Sequence, residues 1–449
     1  MTDHPGSRTI RRQPDQTRAL SADLCVVGSG AAGLSAALEA HELGLDVLIV
    51  DASPQLGGQA VGSAIGTICG LYSNGESPHR VTHGVMDRML ETLSRNGDAA
   101  ARRARNTLIL DYSINAWMRW AEDAVASRGI RPLTGAVLRA AAVDSGRVRS
   151  LEIATRWGDY RVEANTFVDA SGDAALTWLA GQPLTEADRS IYGTIMAVFE
   201  DVDTDICGAY PREKYHEAMR RRGADFGLVR HDGFIFPVAR GGRVLLNMTH
   251  IETPQEAIGL ALAGIEGRQQ IDGLLNLFRD EFPEAFGQAR VAIYGQPGIR
   301  QTRTIQGRSR ITVDQVRTGS VPDDVIGRCS WPIELHTELA DTHWEVFDAD
   351  HMHHIPFGAM VPKGLDNVVV AGRCIDAEPA ALASVRVMGP CFAMGRAAAT
   401  AASLVGSGSF HQIDVQALQN GVGDNISRNT RDPWTAEFTA ETGREADGA

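Results

Sequence analysis

The sequence predicts an α/β protein in which one domain is discontinuous and a second, α+β domain is inserted into it. The chain has 449 residues, which is more than one ordinary hydrophobic core accommodates. Residues 24–51 have the pattern of strand, helix and strand, and a buried segment of the same kind returns at "NVVVAG", residues 367–372. Between these regions, from about residue 191, long alternating strands indicate a different type of domain.

Composition and charge restrict the class of protein. Hydrophobic residues make up 43% of the chain and charged residues 22%, which is typical of a soluble globular protein. The net charge of −13 argues against nucleic acid or an acidic membrane surface as a partner. The six cysteines are scattered without a CxxC pair, as expected in a reducing compartment.

Targeting and membrane signals are also missing from the sequence. No apolar run reaches the roughly 20 residues that a membrane-spanning helix needs. The segment after Arg11 and Arg12 is too polar for an export signal. A cytoplasmic protein without a membrane span is therefore predicted.

Hydrophobic periodicity and composition predict the elements and the domain boundaries. Strands are predicted at 24–27, 46–50, 136–143, 148–156 and 160–163, and helices at 31–43, 81–94, 113–127, 255–278 and 390–404. The discontinuous domain is predicted at 21–190 and 358–410, the inserted domain at 191–357, a flexible arm at 1–20 and a polar C-terminal tail at 411–449.

Three glycines separate the first strand from the first helix. Gly28 permits a tight turn, Gly30 permits a pyrophosphate to approach the backbone, and Gly33 permits close packing of helix on sheet. The pyrophosphate would lie at the helix N-terminus, where unpaired N–H groups favour an anion. Asp51, which lies 21 residues after Gly30 at the end of the second strand, would bind ribose hydroxyls. The pattern therefore predicts a dinucleotide site.

The segment after Asp51 favours FAD over a nicotinamide cofactor. A nicotinamide enzyme would continue into another helix and strand, whereas this chain enters the apolar, glycine-rich loop "LGGQAVGSAIGTICGLY". Such a loop lets its backbone lie along a long, flat ligand. A late helix, predicted to begin at Pro390 after Gly389, would direct its positive end at the flavin. No second glycine pattern follows a strand, which argues against a separate NAD(P)H domain.

Five segments, which together span about residues 23–404, carry a resemblance to a known family. They are "VVGSGAAGLSAALEAHELGLDVLIVDASPQLGGQA", "FVDASGDAALTWLAG", "GIRQTRTIQG", "WPIELH" and "HIPFGAMVPKGLDNVVVAGRCIDAEPAALASVRVMGPCFAMGRAAATAA". The chain resembles FAD-dependent oxidoreductases with a glutathione-reductase-type FAD fold, within the fumarate-reductase-like flavoproteins. The resemblance implies a discontinuous, Rossmann-like FAD-binding domain with an inserted substrate or cap domain. No histidine lies between Asp51 and Tyr72, where relatives often attach FAD, so non-covalent FAD is predicted.

The resemblance also implies which residues contact the cofactor. Asp51 binds ribose, Gly57 and Gly58 lie beside the cofactor, and the "DASGD" turn at 169–173 approaches it. Arg373 stands where many relatives have an acid, so the contact of that acid with the ribityl chain is not expected. The residues predicted to bind FAD are Gly28, Gly30, Ala31, Ala32, Gly33, Asp51, Ala52, Gly57, Gly58, Gln59, Ala136, Val137, Ala170, Ser171, Gly172, Gly372, Arg373, Gly389 and Pro390.

Two residues of the inserted domain are candidates for the chemistry, and we expect both to line one pocket over the flavin. His336 of "WPIELH" is the candidate proton acceptor, because imidazole titrates near neutral pH. The alternative is a histidine that bonds to backbone near the flavin. Arg303 of "GIRQTR" is the candidate clamp for a substrate anion, and the alternative is an ion pair with a structural acid. Arg300 and Arg386 have the same two alternatives.

Cysteine and histidine chemistry is less specific in this sequence. Cys69 lies in the loop expected under the flavin, where a thiol is either redox-active or, more commonly, buried and inert. His351, His353 and His354 have no further ligands at a known metal spacing, so no metal is predicted.

These features predict an FAD-dependent dehydrogenase or oxidase that transfers a hydride from a small polar molecule, an alcohol, amine or hydroxy acid, to flavin N5. The electron acceptor is left open among oxygen, a quinone and a carrier protein, and a homo-oligomer is also left open. Two alternatives are a reductase of an activated C=C bond and a flavoprotein subunit that passes electrons to a partner. The iron–sulfur cysteine pattern of such a subunit is absent from the sequence.

Overall fold

The computed structural model describes residues 17–187, 191–238 and 241–435. A seven-stranded sheet with a parallel side and an antiparallel side forms its centre. Across this sheet the strands are Arg131–Thr134, Val47–Asp51, Arg18–Val27, Gly158–Asp169, Arg147–Thr155 and Ala136–Asp144, with Val368–Val370 also paired to Gly158–Asp169. The predicted α/β class is confirmed.

The first strand, Arg18–Val27, is parallel to both of its neighbours. Val27 lies opposite Val50 on one side and opposite Asp169 on the other. The last four residues of this strand are buried, because Leu24 and Val26 pack with the helices on one face, whereas Cys25 and Val27 pack with side chains of the antiparallel strands on the other. The carboxyl ends of three parallel strands therefore meet at one edge, which is where open α/β sheets bind ligands.

Two helices with small side chains pack closely beside this sheet. The helix Ala31–Glu42 contacts the helix Met388–Val405 along its length. A Cβ atom on Gly395 would lie 2.3 Å from the carbonyl oxygen of Ala32, so glycine is needed at this crossing. The remaining helices of this part are Gln59–Gly62, Val85–Arg95, Ile114–Ser127, Ala175–Leu179, Val313–Thr318 and Pro379–Val385, with 3₁₀ turns at Phe357–Met360 and Phe410–Gln412. None of the helices in the described ranges is long and apolar enough to cross a membrane.

Four small sheets surround the central one. One has three strands, Thr67–Ile68, Thr107–Tyr112 and Ala99–Ala104. The others are pairs: Leu184–Glu186 with Arg303–Ile305, Val325–Cys329 with His353–Pro356, and Ile333–Leu335 with His343–Glu345.

A separate antiparallel sheet builds a second hydrophobic core. Its strands are Phe234–Pro237, Val244–Asn247, Ala197–Glu200 and Arg290–Tyr294, in that order. Its helices are Thr204–Ala209, Arg212–Arg222, Ala257–Glu281 and Pro283–Phe286, with a 3₁₀ turn at Gly223–Phe226. The buried apolar side chains between Ile195 and Ala289 form a core of their own.

The second core ends earlier in the chain than the sequence analysis expects. Ile305, Ile326 and Phe357 are buried in the core of the first sheet. The strand Val325–Cys329 packs against the helix Met388–Val405, which also covers the central sheet. Hydrophobic packing therefore groups residues from about 303 onward with the first core, whereas the inserted domain was expected to extend to residue 357.

Both chain ends differ from the flexible segments expected there. The first strand begins at Arg18, inside the arm expected at 1–20. Helices at Val415–Gly421 and Gly423–Ser427 lie in the expected polar tail. The tail then reaches back to the first core, where Asp432 accepts hydrogen bonds from Arg80 at 2.9 and 3.1 Å. Residues 1–16 and 436–449 lie outside the described ranges.

The ion pair between Arg80 and Asp432 should contribute measurably to stability. Both residues are buried, and Asp432 also accepts a hydrogen bond from the hydroxyl of Tyr72 at 2.8 Å. Asp432→Ala leaves the Arg80 guanidinium buried without this partner, so we expect the free energy of unfolding to fall by about 3 kcal/mol. Thermal and urea unfolding would measure the loss. The exposed pair of Asp144 with Arg149 offers a control, since Asp144→Ala should leave the melting temperature unchanged.

Candidate active site

The turn after the first strand leaves no room for side chains. Gly28 has a φ of 101°, a backbone conformation that glycine adopts readily. A Cβ atom on Gly28 would lie 2.3 Å from the carbonyl oxygen of Ala170. A Cβ atom on Gly33 would lie 1.9 Å from the carbonyl oxygen of Gly28. Both positions require glycine for the helix to pack on the sheet.

The helix Ala31–Glu42 begins at the edge of a large cavity. Gly30 is its N-cap, and no side chain caps the helix. Ala31 and Ala32, in the first turn, line the cavity. A Cβ atom on Gly30 would have only the Cα atom of Gly58 near it, at 4.0 Å. Unpaired N–H groups and the helix dipole make this N-terminus suitable for an anion such as a pyrophosphate.

Asp51 is fixed at the same edge by three hydrogen bonds. Its carboxylate accepts from the backbone N–H and the hydroxyl of Ser29, both at 2.6 Å, and from the backbone N–H of Ser53 at 2.7 Å. A carboxylate has about four lone-pair sites, so acceptor capacity remains for a ribose hydroxyl. Asp51 therefore has the position and the chemistry to recognise a nucleoside.

The cavity has a volume of about 1670 Å³. Sites for one small molecule usually measure about 300–1,000 Å³, so this cavity has room for a dinucleotide and a second molecule. The expected cofactor residues that line it are Gly28, Gly30, Ala31, Ala32, Asp51, Ala52, Gly58, Gln59, Ala136, Val137, Ala170, Ser171, Gly172, Gly372 and Arg373.

Four of the expected cofactor residues lie behind the lining. Gly33 packs against Gly28, and a Cβ atom on Gly57 would lie 2.4 Å from a methyl group of Val61. The last long helix, Met388–Val405, begins two residues before the expected start, so Pro390 is its third residue. A Cβ atom on Gly389 would lie 2.2 Å from the carbonyl oxygen of Gly70, and Pro390 lies beside the same loop. Gly389 and Pro390 thus support the loop around Cys69 and do not line the cavity.

Arg373 connects the two halves of the cavity. It donates hydrogen bonds to the carbonyl oxygen of Gly172 at 2.9 Å and to the carboxylate of Asp173 at 2.7 Å. A third bond, at 2.9 Å, runs to the carbonyl oxygen of Ile299. The turn near the dinucleotide end is therefore joined to the segment that leads into the second half.

The second half of the cavity has a different lining. It combines arginines, aromatic rings and the carboxylate of Glu334. Its main lining residues are Cys69, Arg102, Arg105, Met196, Arg212, Phe234, Phe236, Asn247, Arg300, Trp331, Glu334, Trp344 and Arg386.

The structure does not bring His336 and Arg303 together in one pocket. Arg303 lines the cavity, but its guanidinium lies 4.8 Å from the ring centre of Trp178, which is near the dinucleotide end. His336 is fully buried and lies outside the lining. Its backbone oxygen accepts a hydrogen bond from the N–H of Tyr192 at 2.9 Å. The expectation that both side chains line one pocket over the flavin is therefore corrected.

Glu334, which the sequence analysis did not single out, lies between His336 and the cavity. Both residues flank Leu335 at the end of the strand Ile333–Leu335, and alternate residues of a strand point to the same side. One oxygen of Glu334 lies 3.0 Å from Nε2 of His336, and the other accepts a hydrogen bond from Nε1 of Trp331 at 3.2 Å. Glu334 lies two residues before His336 in "WPIELH", and this spacing in a strand could have identified Glu334 from the sequence.

A chain of hydrogen bonds continues from Glu334 into the protein. Nδ1 of His336 lies 3.0 Å from Nε2 of His250, and Nδ1 of His250 lies 2.8 Å from the carbonyl oxygen of Leu339. A carbonyl oxygen only accepts, so His250 must donate from Nδ1. If His250 is neutral, its Nε2 accepts, and His336 must donate from Nδ1. The second nitrogen of His336 then has no proton to offer Glu334.

This chain of hydrogen bonds contains more hydrogen bonds than two neutral imidazoles have protons for. Three hydrogen bonds join two terminal acceptors, an ionised Glu334 and the carbonyl of Leu339, through two imidazoles. Two neutral imidazoles supply only two protons. The hydroxyl of Thr342, 3.3 Å from Nδ1 of His336, is directed to Asp232 and supplies none. The third hydrogen bond therefore needs one more proton, and the cavity-facing Glu334 is the group of this chain that is placed to receive it.

Burial and nearby positive charge keep the two imidazoles from holding that proton firmly. Burial, together with the charges of Arg300 and Arg230, lowers the pKa of His336 well below its usual range. Burial and the same two arginines lower the pKa of His250 to about 2. A proton that enters this chain is consequently easy to return to the cavity.

Arg300 and Arg386 give this end of the cavity positive charge, which the nearby carboxylates of Glu334 and Asp232 offset only in part. Arg300 donates to the carbonyl oxygen of Tyr192 at 2.7 Å, and Arg386 donates to the carbonyl oxygen of Glu334 at 3.4 Å. Neither guanidinium forms an ion pair with a carboxylate of the described residues. Burial, with the charges of Arg230 and Arg386, lowers the pKa of Arg300. An anion bound here would relieve that cost.

Cys69 and His353, which are the remaining candidate groups, are less suited to a chemical role. Cys69 lines the cavity, but burial raises the pKa of its thiol, so the reactive thiolate is disfavoured. Burial lowers the pKa of His353 to about 3, and its Nε2 lies 2.8 Å from the hydroxyl of Ser384. Among the described residues, no three side chains are grouped to hold a metal ion.

A model of the FAD dependent oxidoreductase family matches residues 23–422 of the chain. The NADH:fumarate oxidoreductase of Klebsiella pneumoniae is 50% identical over 46 residues, 10% of this chain and 5% of that protein. The dihydrolipoyl dehydrogenase of Manduca sexta is 32% identical over 111 residues, 25% of this chain and 20% of that protein. The matched segments thus span at most a fifth of these relatives.

Two solved structures align over most of the chain at low identity. A geranylgeranyl bacteriochlorophyll reductase-like protein of Thermoplasma acidophilum has 14% identity and a TM-score of 0.48, with 95% of this chain and 87% of that chain covered. The p-nitrophenol 4-monooxygenase of Pseudomonas putida has 12% identity and a TM-score of 0.45, with 94% and 93% covered.

The family predicted from the sequence motifs is confirmed by the extent of the family match. That match includes the glycine turn, Asp51, the segments around Arg303 and Glu334, and the last long helix. The chain belongs to the FAD dependent oxidoreductase family and is an FAD-dependent enzyme.

Proposed function

We propose that this enzyme holds FAD non-covalently along the first half of the cavity and oxidises a small, polar, anionic organic molecule in the second half. The observation that carries the proposal is the continuity of the cavity from the glycine turn to Glu334, the exposed end of a proton-accepting chain. Alcohols, amines and hydroxy acids are the substrate classes that suit this chemistry, because each loses a proton with the hydride.

The residues of the first half fit FAD in the following way. The N-terminus of the helix Ala31–Glu42 would hold the pyrophosphate, and Asp51 would accept from a ribose hydroxyl. Ala136 and Val137 line the same end of the cavity and leave space for an adenine. When bound, FAD supplies the hydride acceptor of the reaction.

The residues of the second half would bind, orient and deprotonate the substrate. Arg300 and Arg386, which form no ion pair with the described residues, offer donors to a polar or anionic group of the substrate beside Glu334. Glu334 would accept the proton of the substrate hydroxyl or amine, and His336 would stabilise that proton from behind. His336 is then a positioning residue, since Glu334 separates it from the substrate.

A second candidate function uses the same chain in reverse. If the hydrogen-bond chain holds a third proton, Glu334 would donate it to one carbon of an activated C=C bond. Reduced FAD would supply the hydride to the other carbon. The low pKa of the two histidines favours release of that proton and so supports this alternative. Under anaerobic conditions, alcohols and hydroxy acids would bleach the oxidised flavin, whereas enoates would reoxidise the reduced flavin.

The first prediction concerns attachment of the cofactor. Purified protein should be yellow, and denaturation should release intact FAD into the supernatant, because no histidine lies between Asp51 and Tyr72 and the Cys69 thiol is uncharged. Absorbance and mass spectrometry of the supernatant and the precipitate would measure this. Flavin that stays with the polypeptide would contradict non-covalent binding and identify its attachment site by peptide mapping.

The glycine turn supplies a second prediction. Gly30→Val should yield folded protein with little FAD, because the added side chain meets open space in the protein but obstructs the pyrophosphate. The ratio of flavin to protein absorbance would measure this, with circular dichroism to verify folding. Gly208→Val is the matched control, since Gly208 is exposed and also has nothing within 4 Å of an added Cβ. Normal flavin content in Gly30→Val would refute the assignment.

The third prediction concerns the proton acceptor. Glu334→Gln should lower the rate of flavin reduction by about 100-fold or more, within the usual range for a general base. Substrate affinity should change little. Stopped-flow reduction under anaerobic conditions, with any substrate from a panel of alcohols, amines and hydroxy acids, would measure this.

The exposed Glu338 provides the control for that experiment. Glu338→Gln removes the same charge outside the cavity lining and should leave the rate unchanged. A Glu334→Gln variant that keeps the wild-type rate would show that the proton leaves by another route.

A further inference from the structure

Aromatic rings form the outer wall of the second half of the cavity. Phe234 and Phe236 stack at a ring-centre distance of 5.7 Å and an angle of 10°. Trp344 lies edge-on to Phe234 at 6.0 Å and edge-on to Trp331 at 6.2 Å. All four residues line the cavity, and the partly exposed Phe234 and Trp344 present ring surface to it. A flat, apolar ligand would bury this surface.

Three arginines lie over these rings. Arg102 lies 4.4 Å from the ring centre of Phe236, Arg105 lies 4.4 Å from that of Trp344, and Arg212 lies 5.1 Å from that of Phe234. Guanidinium groups stack well on aromatic faces, so the rings fix the arginines in place. The wall therefore carries positive charge as well as aromatic surface.

Two of the three arginines are not in contact with a carboxylate of the described residues, although the charges of Glu334 and Asp232 act on Arg105 from farther away. Arg102 forms two hydrogen bonds with the carboxylate of Asp111, at 2.8 and 3.1 Å. Arg105 and Arg212 form no ion pair with any carboxylate of the described residues. They are close enough for the charge of Arg212, after burial, to lower the pKa of Arg105. Two neighbouring, unpaired guanidinium groups are suited to share one anionic group.

The backbone of Arg105 adopts a left-handed conformation. It lies in the turn between the strands Ala99–Ala104 and Thr107–Tyr112 and has a φ of 55°. Glycine, asparagine and aspartate adopt this left-handed conformation most readily, and arginine does so at a cost. The turn thus retains a side chain that the backbone conformation disfavours.

We propose that the outer part of the cavity binds a planar aromatic carboxylate. The ring would lie against Phe234 and Trp344, and the carboxylate would lie between Arg105 and Arg212. This inference rests on the proposed function, since it places an oxidisable substituent of the same molecule toward Glu334. The alternative occupant of the wall is the flavin ring itself, and the experiment below distinguishes the two.

Equilibrium binding to the FAD-loaded enzyme tests the proposal without turnover. 1-Naphthoate is the probe. Cyclohexanecarboxylate is the control that has the charge but no aromatic ring, and naphthalene is the control that has the aromatic rings but no charge. Calorimetry should show 1-naphthoate binding at least about 10-fold more tightly than either, since cyclohexanecarboxylate lacks the stacking and naphthalene lacks the charge pairing. If cyclohexanecarboxylate binds as tightly as 1-naphthoate, the aromatic wall has no role in binding and the proposal is wrong.

Substitutions assign the carboxylate to its two arginines. Arg105→Asn suits the left-handed backbone and should weaken 1-naphthoate binding about 10-fold, and Arg212→Ala should do the same. Arg220→Ala is the control, because Arg220 lies on the same helix but is exposed and outside the cavity lining. FAD content should be normal in all three variants. Unchanged affinity in both Arg105→Asn and Arg212→Ala would overturn the proposal.

Failure of this inference and failure of the proposed function are distinguishable. If 1-naphthoate binds only to protein stripped of FAD, the flavin occupies the aromatic wall and the inference is wrong. An unchanged rate of flavin reduction in Glu334→Gln, with intact 1-naphthoate binding, would instead contradict the proposed function alone.

Discussion

The contact between Gly28 and Gly33 is the constraint on which the cofactor half of this enzyme depends. The carbonyl oxygen of Gly28 occupies the space that a Cβ atom on Gly33 would need, at 1.9 Å. This approach brings the helix Ala31–Glu42 against the sheet and its uncapped N-terminus to the strand edge, beside Asp51. The same helix then packs on Met388–Val405, where Gly395 again allows backbone to approach backbone. A side chain at Gly33 or Gly395 would force these backbone segments apart.

The second half of the cavity depends on positive charge that the protein offsets only in part. Arg300 and Arg386 are held by carbonyl oxygens, and Arg105 and Arg212 are held by aromatic rings. Such contacts fix a guanidinium but do not neutralise it, so each half of the cavity is suited to a negatively charged ligand. This local charge explains how a protein with a net charge of −13 can bind anions.

The sequence predicted well what is local and predicted poorly what depends on distant contacts. The first helix was expected at 31–43 and is found at Ala31–Glu42, because its periodicity and its glycines are contained in one short segment. The packed tail was missed, because the carboxylate of Asp432 is compensated by Arg80, 352 residues away. His336 was chosen because imidazole titrates near neutrality, and Glu334 was not considered. Burial, which the sequence does not reveal, places the histidine behind that carboxylate.

The central claim is that one cavity holds FAD and substrate side by side, with Glu334 facing the substrate. A crystal structure of the FAD-loaded enzyme with a bound aromatic carboxylate tests it most directly. We expect the pyrophosphate at the N-terminus of the helix Ala31–Glu42, the flavin next to Cys69 and Met388, and the second ligand between the flavin, Glu334 and Arg105. A flavin ring stacked on Phe234 and Trp344, with no space left beside Glu334, would contradict the account.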